Sequence, residues 1–240
     1  MVEVYLRRFR QAQLKWKIAR RVGRLLQYVP FVRGIFVTGS LAIMNTNDES
    51  DLDLLIVTHP ERIWLTRLLL LFVTQLTGRR RTHWDRKAPD KICLNHYVTE
   101  ASLSMARSIR TLYTAMLYTH LVPLTGMDLY QQFQQENGGW LKRFVMYPEA
   151  PAIPPAQYLR PGRWLKAVQR GFEIIFQEPL FNGLESLAEK VQRRVVLRHT
   201  LPGQAGRIAL SAQELAFHPD SKEASILALF HKDEGQRRLL

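Results

Sequence analysis

Apolar and polar positions along the first 145 residues form a pattern that predicts helices and strands in turn. Residues 4–27 lack proline and place apolar side chains at helical spacing, which predicts a long helix. Residues 32–38 and 51–58 are rich in β-branched, aromatic and aliphatic residues, as strands are. The same pattern predicts a helix over 60–78, a strand over 92–99, and helices over 107–121 and 128–135.

Prolines mark a change of composition in the second half of the chain. Five of them fall between residues 148 and 161, which is too dense for a helix or a central strand. Beyond them the pattern predicts a helical region over 163–198, interrupted near 179–183, and short elements over 208–217 and 225–231. We therefore expect an α/β fold, with a small mixed sheet flanked by helices in a domain over 1–145, a linker over 146–162, and a mainly helical C-terminal part over 163–240.

The excess of positive charge narrows the choice of partners. The chain has 34 lysines and arginines against 21 aspartates and glutamates, a net charge of +13. Such an excess favours RNA, DNA, nucleotide phosphates, acidic lipid surfaces or another acidic partner, and it leaves the fold open. With 46% hydrophobic residues, the composition excludes a disordered or fibrous chain.

Cysteine content and hydropathy predict a cytoplasmic location. The single cysteine, Cys93, cannot form an intramolecular disulfide, as expected for a reducing compartment. The most apolar window, residues 63–76, contains Arg67 and is shorter than the roughly 20 residues that a spanning helix needs. The N-terminus shows no signal peptide, so we expect no membrane partner.

The helical spacing of residues 4–27 predicts a basic arc between two apolar sides of the first helix. Its apolar residues are Tyr5, Phe9, Ala12, Trp16 and Ala19 on one side, and Leu14, Ile18, Val22 and Leu25 on the other. The basic arc between them consists of Arg10, Lys17, Arg20, Arg21 and Arg24. Two interpretations are open: the solvated face of a packed helix, or a nucleic-acid-binding stripe that follows a phosphate backbone.

One segment has residues that indicate a reaction type: residues 36–57, FVTGSLAIMNTNDESDLDLLIV. Asp51 and Asp53 are two residues apart at the start of a strand, so their carboxylates point to the same face and repel each other unless a cation such as Mg²⁺ lies between them. Upstream, Gly39 and Ser40 lie where a strand turns into a helix, a place where the backbone can approach phosphate oxygens. A phosphate cradle beside an acidic metal pair is typical of phosphoryl or nucleotidyl transfer.

A hydrophobic strand ending in Gly39-Ser40, followed after ten residues by Asp51-Leu52-Asp53-Leu54, resembles the signature of the polymerase-β-like nucleotidyltransferase superfamily. The resemblance is specific over residues 32–58, extends to about residue 100 and includes no motif of the C-terminal half. It implies that Gly39 and Ser40 bind the triphosphate of an NTP, and that Asp51 and Asp53 hold catalytic Mg²⁺ or Mn²⁺.

Two positions depart from that signature. Leu41-Ala42-Ile43-Met44 replaces the alanine-arginine-glycine segment of many small members, so an arginine near the triphosphate is missing from its usual place. The family usually has a third acid on a later strand, where this chain offers Asn95. An asparagine can bind a metal through its carbonyl oxygen but cannot act as a base, and Asp90 is the alternative at this position.

The resulting hypothesis is an enzyme that moves an NMP from an NTP to an acceptor hydroxyl. On charge, RNA is the favoured acceptor. Two alternatives remain open: a catalytically weak or inactive scaffold that binds nucleotides or nucleic acid, and a toxin–antitoxin-type transferase that modifies a protein. The sequence leaves the oligomeric state open.

Overall fold

A computed structural model shows a mixed α/β fold with an open six-stranded mixed sheet. The structure describes residues 2–82, 85, 87–145, 157–177, 179–199, 207–218, 223 and 226–228. Its helices are α1 (Val2–Leu26), α2 (Gly39–Ala42), α3 (Ile63–Leu76), α4 (Leu112–Thr119), α5 (Met127–Leu141), α6 (Arg163–Gln177) and α7 (Pro179–His199), with a 3-10 turn at Arg107–Ile109. Its strands are β1 (Val32–Val37), β2 (Leu52–Thr58), β3 (Ile92–Thr99), β4 (Val122–Thr125), β5 (Arg207–Leu210) and β6 (Glu214–His218).

The strands lie in the order β4-β1-β2-β3-β6-β5. β1 pairs antiparallel with β2 and β4, whereas β2 and β3 are parallel and are connected through α3. β6 pairs antiparallel with both β3 and β5. The end of β1 and the starts of β2 and β3 therefore lie side by side at the same end of the sheet.

Helices cover both faces of the sheet. On one face α1 and α3 pack against buried side chains of β1 and β2, with Trp16 and Trp64 among the largest contributors. On the other face α4 and α5 pack against Phe36, Leu55 and Val57. The alternation of side chains along β1 and β2 supplies both cores, which is why these strands read as almost continuous apolar runs.

The N-terminal elements form close to where the sequence predicts them, but β4 was not predicted. Residues 122–125 have the sequence Val-Pro-Leu-Thr, and a proline argues against a strand because it lacks a backbone N–H. β4 is an edge strand paired only with β1 among the described strands, and the edge of a sheet tolerates proline.

The C-terminal part contains two strands as well as two helices among its described residues. α6 and α7 form, but the second helix already begins at Pro179, inside the segment where an interruption was expected. Residues 207–218 form a β-hairpin, and its strand β6 extends the sheet that begins in the N-terminal half. The division into domains stays a prediction, since residues 146–156 of the proposed linker lie outside the described residues.

Only part of the second apolar side of α1 is buried. Leu14 and Leu25 are exposed, whereas the buried face contains Ala12, Trp16 and Ala19 and also includes Lys15. Val22 and Ile18 of the second side still reach the core, whereas Leu14 and Leu25 remain in solvent.

Candidate active site

The antiparallel pairing of β1 and β2 brings the Gly39 turn onto the acidic pair. Val37 lies opposite Leu54, and the Thr38 amide donates a hydrogen bond of 3.1 Å to the carbonyl oxygen of Asp53. Gly39 has a φ of +68°, and a Cβ added there would lie 2.8 Å from Oδ2 of Asp53. Only glycine fits this position without displacing the carboxylate or straining the backbone.

Asp51 and Asp53 point to the same side of the sheet and are both half-buried. Between them, Leu52 points into the core on the opposite face. On the neighbouring strand, Cys93 lies directly opposite Asp53. One ligand atom from each of Asp51, Asp53 and Cys93 lies within 4.8 Å of the other two.

The pKa values of Asp53 and Cys93 are both raised in this site. Burial, and next the neighbouring Asp51 carboxylate, raise the pKa of Asp53 to about 7. Burial also raises the pKa of the Cys93 thiol well above its ordinary value, and the two aspartates raise it further. The site therefore disfavours additional negative charge and favours a cation beside Asp53.

Arg81 supplies a positive charge at this point. Its guanidinium forms an ion pair with the Asp51 carboxylate and donates to Sγ of Cys93 at 3.7 Å. The Arg81 backbone N–H bonds to the carbonyl of Ile92, which fixes the loop beside the start of β3. The sequence has three consecutive arginines at 79–81, but nothing in it predicts that Arg81 contacts the acidic pair.

Lys15 holds the loops around the acidic pair. This buried lysine of α1 donates to the carbonyl of Ser50 at 2.8 Å and to the carboxylate of Asp90 at 2.7 Å. It was missed in the sequence, although it belongs to the stripe of Ala12, Trp16 and Ala19 at helical spacing. Asp90, the alternative third acid, is thus bound to Lys15 and is not part of the cluster of Asp51, Asp53 and Cys93.

Asn95 lies two residues beyond Cys93, where the pairing of β2 with β3 shifts register between Asp53 and Leu55. The residue paired with Asp53 is Cys93, so the register assigns the position next to the acidic pair to a cysteine. The role of Asn95 as a metal ligand stays a prediction.

The basic arc of α1 lies largely in solvent. Arg10, Lys17, Arg21 and Arg24 are exposed, and Arg20 is half-buried. This exposure is what a solvated face and a nucleic-acid-binding stripe have in common, so it does not distinguish the two.

The donor set fits a divalent cation in part. Asp51 and Asp53 supply the carboxylate oxygens that Mg²⁺ and Mn²⁺ prefer, whereas the Cys93 sulfur is a softer ligand that suits Zn²⁺ better than either of these ions. Arg81 pairs with one carboxylate oxygen of Asp51, so it competes with a cation for this carboxylate.

Comparisons with family models, with curated proteins and with solved structures found no match to this chain. No helix among the described residues is long and apolar enough to cross a membrane. The case for function therefore depends on the geometry of the site.

Proposed function

We propose that the protein is a metal-dependent nucleotidyltransferase of the polymerase-β-like type, which moves an NMP from an NTP to an acceptor hydroxyl. The observation that supports the proposal best is the contact of the Gly39 turn with the acidic pair, where a Cβ would lie 2.8 Å from the Asp53 carboxylate. A backbone that can approach phosphates thus adjoins two carboxylates that need a cation, and both features follow from one strand pairing.

Each residue has a distinct role in this proposal. Gly39 and Ser40 bind the phosphates of the NTP through the backbone and the hydroxyl, and Asp51 and Asp53 hold the metal. When bound, Mg²⁺ or Mn²⁺ neutralises phosphate charge and favours the acceptor alkoxide. Arg81 moves from Asp51 to the phosphates, and so supplies the positive charge that the Leu41–Met44 segment lacks.

The test is transfer of label from α-labelled NTPs to an RNA and protein extract with Mg²⁺ or Mn²⁺. Replacing both acids, Asp51→Asn with Asp53→Asn, should abolish labelling, because neither amide provides the charge that holds the cation. Labelling by this variant at the level of the parent protein would refute the proposal.

A matched control removes two acids that lie outside the cluster. Asp48 pairs with Arg7 and Glu49 with Lys87, and all four side chains are largely exposed. Asp48→Asn with Glu49→Gln removes the same charge from the same loop and should label as well as the parent protein. Equal loss in both double variants would point to a general charge effect instead of the acidic pair.

A second candidate is a nucleotide-binding module without turnover. Two observations favour it: Arg81 already neutralises Asp51, and the residue opposite Asp53 is Cys93 instead of an acid. Calorimetry separates the two candidates, since a module should bind NTP without divalent metal and transfer nothing. Arg81→Gln should weaken this metal-free binding at least tenfold, since a charge-assisted phosphate contact is worth about 1.5–3 kcal/mol.

RNA is the acceptor that charge favours. Contacts with several phosphates release counterions, so affinity should fall steeply with salt concentration. A salt titration of RNA binding compares the parent with Arg20→Glu/Arg24→Glu, and the control Lys142→Glu/Arg143→Glu changes the same charge at exposed positions after α5. Equal affinity and salt slope in all three proteins would identify the arc as a solvated face.

A further inference from the structure

α6 is attached to the rest of the protein through its polar side. Glu173 accepts hydrogen bonds from the Phe31 amide at 2.7 Å and from Arg33 at 2.8 Å. Gln169 donates to the carbonyl of Val29 at 2.8 Å, and both side chains are buried, at 3% and 6% exposure for Gln169 and Glu173. These bonds fix the rotation of the helix about its axis.

α7 is attached in the same way, against the N-terminus of α3. Glu185 accepts from the backbone amides of Trp64 and Leu65, both at 2.8 Å. Gln192 is buried and donates to the carbonyl of Trp64 at 2.8 Å. Polar side chains again face inward, where the usual arrangement buries apolar ones.

The apolar sides of both helices consequently face solvent. On α6 Trp164 is 74% exposed and Ile174 66%, although these are residue types that normally lie in a core. The exposed apolar residues of α6 are Trp164, Leu165, Val168, Phe172, Ile174 and Ile175, and those of α7 are Leu184, Leu187, Val191, Val195 and Leu197. We call these residues the outer apolar face. Its size marks an interaction surface, since single exposed apolar residues are common but clusters on two adjacent helices are not.

Basic residues border the outer apolar face. They are Arg163 and Arg170 on α6, and Lys190, Arg193, Arg194 and Arg198 on α7, all exposed. Among the described side chains, the acidic residues of these helices balance little of this exposed positive charge. Glu173 and Glu185 face inward, and Glu189 pairs with Arg193. A partner must therefore be apolar and negatively charged.

The outer apolar face lies at the end of the sheet away from the candidate active site. Glu173 binds the chain just before β1 begins, whereas Gly39 follows the end of β1, and a six-residue strand is roughly 20 Å long. Likewise α7 binds the start of α3, beyond the end of β2, whereas Asp51 and Asp53 lie at its start. A surface bound there leaves the acidic pair accessible.

We propose that α6 and α7 dock the protein on an anionic lipid bilayer, with the outer apolar face inserted at the headgroup boundary and the bordering basic residues on acidic headgroups. Helices that lie in the membrane interface typically combine tryptophan, phenylalanine and leucine with lysine and arginine. A second copy of the chain fits less well, because an isologous contact brings the same basic residues against each other. The sequence-based expectation of no membrane partner considered spanning segments and signal peptides, which peripheral docking does not need.

The experiment is co-sedimentation of the full chain with phosphatidylcholine vesicles containing about a third phosphatidylglycerol, compared with pure phosphatidylcholine. Binding should be strong only to the anionic vesicles. Trp164→Gln with Ile175→Gln should weaken binding tenfold or more, because two anchors no longer bury apolar surface. Lys190→Gln with Arg194→Gln should weaken it roughly thirtyfold, at about 1 kcal/mol for each charge near the lipid surface.

A matched control places the same polar substitutions elsewhere. Leu14 and Leu25 of α1 are 54% and 52% exposed, and Leu14→Gln with Leu25→Gln should leave vesicle binding unchanged. Trp164→Phe keeps an apolar anchor, so it should retain binding but lose the blue shift of tryptophan fluorescence that accompanies insertion.

Three results would overturn the proposal. One is equal binding to neutral and anionic vesicles, or none to either. Another is a homodimer that the Trp164→Gln/Ile175→Gln variant converts to monomer, since the face would then bind a second copy. The third is protection of Trp164 from a soluble quencher in the absence of vesicles, since the chain itself would then cover the face.

Discussion

The candidate active site and the two C-terminal helices depart from the usual arrangement of polar and apolar groups in opposite ways. At the site, two carboxylates converge beside the apolar cores, and burial, followed by the neighbouring Asp51 carboxylate, raises the pKa of Asp53 to about 7. At α6, the buried Glu173 is satisfied by a backbone amide and an arginine, and the apolar side chains of the helix are left outside. The first arrangement makes the fold less stable until a cation binds. The second stabilises the fold and exposes a surface.

The comparison teaches that burial alone does not say what a polar residue contributes. A buried group with donors around it is a structural anchor, whereas a buried group beside a like charge is poised for a ligand. Stability measurements on matched variants can separate these two roles.

The largest effect is expected from the pH dependence of Asp53. Its pKa rises from 3.8 to about 7 on folding, so the native state resists losing this proton more than the unfolded state does. The stability contributed by the protonated group is complete below pH 3.8 and is lost as the pH rises to about 7, by at most about 4 kcal/mol. Asp53→Asn should therefore lose less stability than the parent between pH 4 and pH 8, measured by urea unfolding without metal. If the free energy of unfolding depended on pH in the same way in both proteins, this would contradict the raised pKa of Asp53.

The next largest effect is expected from the anchor of α6. Glu173→Ala leaves the Phe31 amide and the Arg33 guanidinium without this acceptor and should lower the free energy of unfolding by about 3 kcal/mol. The control is Glu189→Ala, which removes an exposed pair with Arg193 and should cost less than about 0.5 kcal/mol. Equal costs would show that α6 is not held by its polar side.

A smaller effect is expected at the Gly39 turn. Gly39→Ala should cost about 2 kcal/mol, since it combines a strained positive φ with a Cβ 2.8 Å from Oδ2 of Asp53. Gly78→Ala is the matched control, because this glycine also has a positive φ of +65° but has open space around the added Cβ. The excess cost of Gly39→Ala over Gly78→Ala measures the contact with the acidic pair, and it should shrink in an Asp53→Ala background. An excess that survives there would show that the extra cost does not come from the contact with Asp53.

The smallest effect is expected on the outer apolar face. Trp164→Gln with Ile175→Gln should change the free energy of unfolding by less than about 0.5 kcal/mol, because both side chains lie in solvent. A loss of several kcal/mol would mean that these residues are packed in the folded monomer, and it would remove the contrast between the two regions.

Local pattern was enough to predict β1, β2, β3, α1 and α3, because each places apolar residues at one clear period. The fold that the resemblance implies, and not local pattern, places the strand ending before Gly39 beside the strand of Asp51 and Asp53, and the two strands do pair. Local pattern did not predict Cys93 opposite Asp53, since that depends on the register of parallel strands separated by a whole helix. Nor did it predict Arg81 at Asp51, because a run of three arginines in a loop does not say which one turns inward.

The sequence by itself determined the elements around the acidic pair and the type of chemistry that Gly39, Ser40, Asp51 and Asp53 suggest, because these residues lie close along the chain. Only the tertiary structure decided which groups complete the site and which sides of α6 and α7 face outward. The helical pattern of α6 has a polar side and an apolar side, and either one can face the protein. Gln169 donates to the carbonyl of Val29 and Glu173 accepts from the amide of Phe31, and these bonds select the polar side. Contacts between segments about 140 residues apart exist only once the chain has folded.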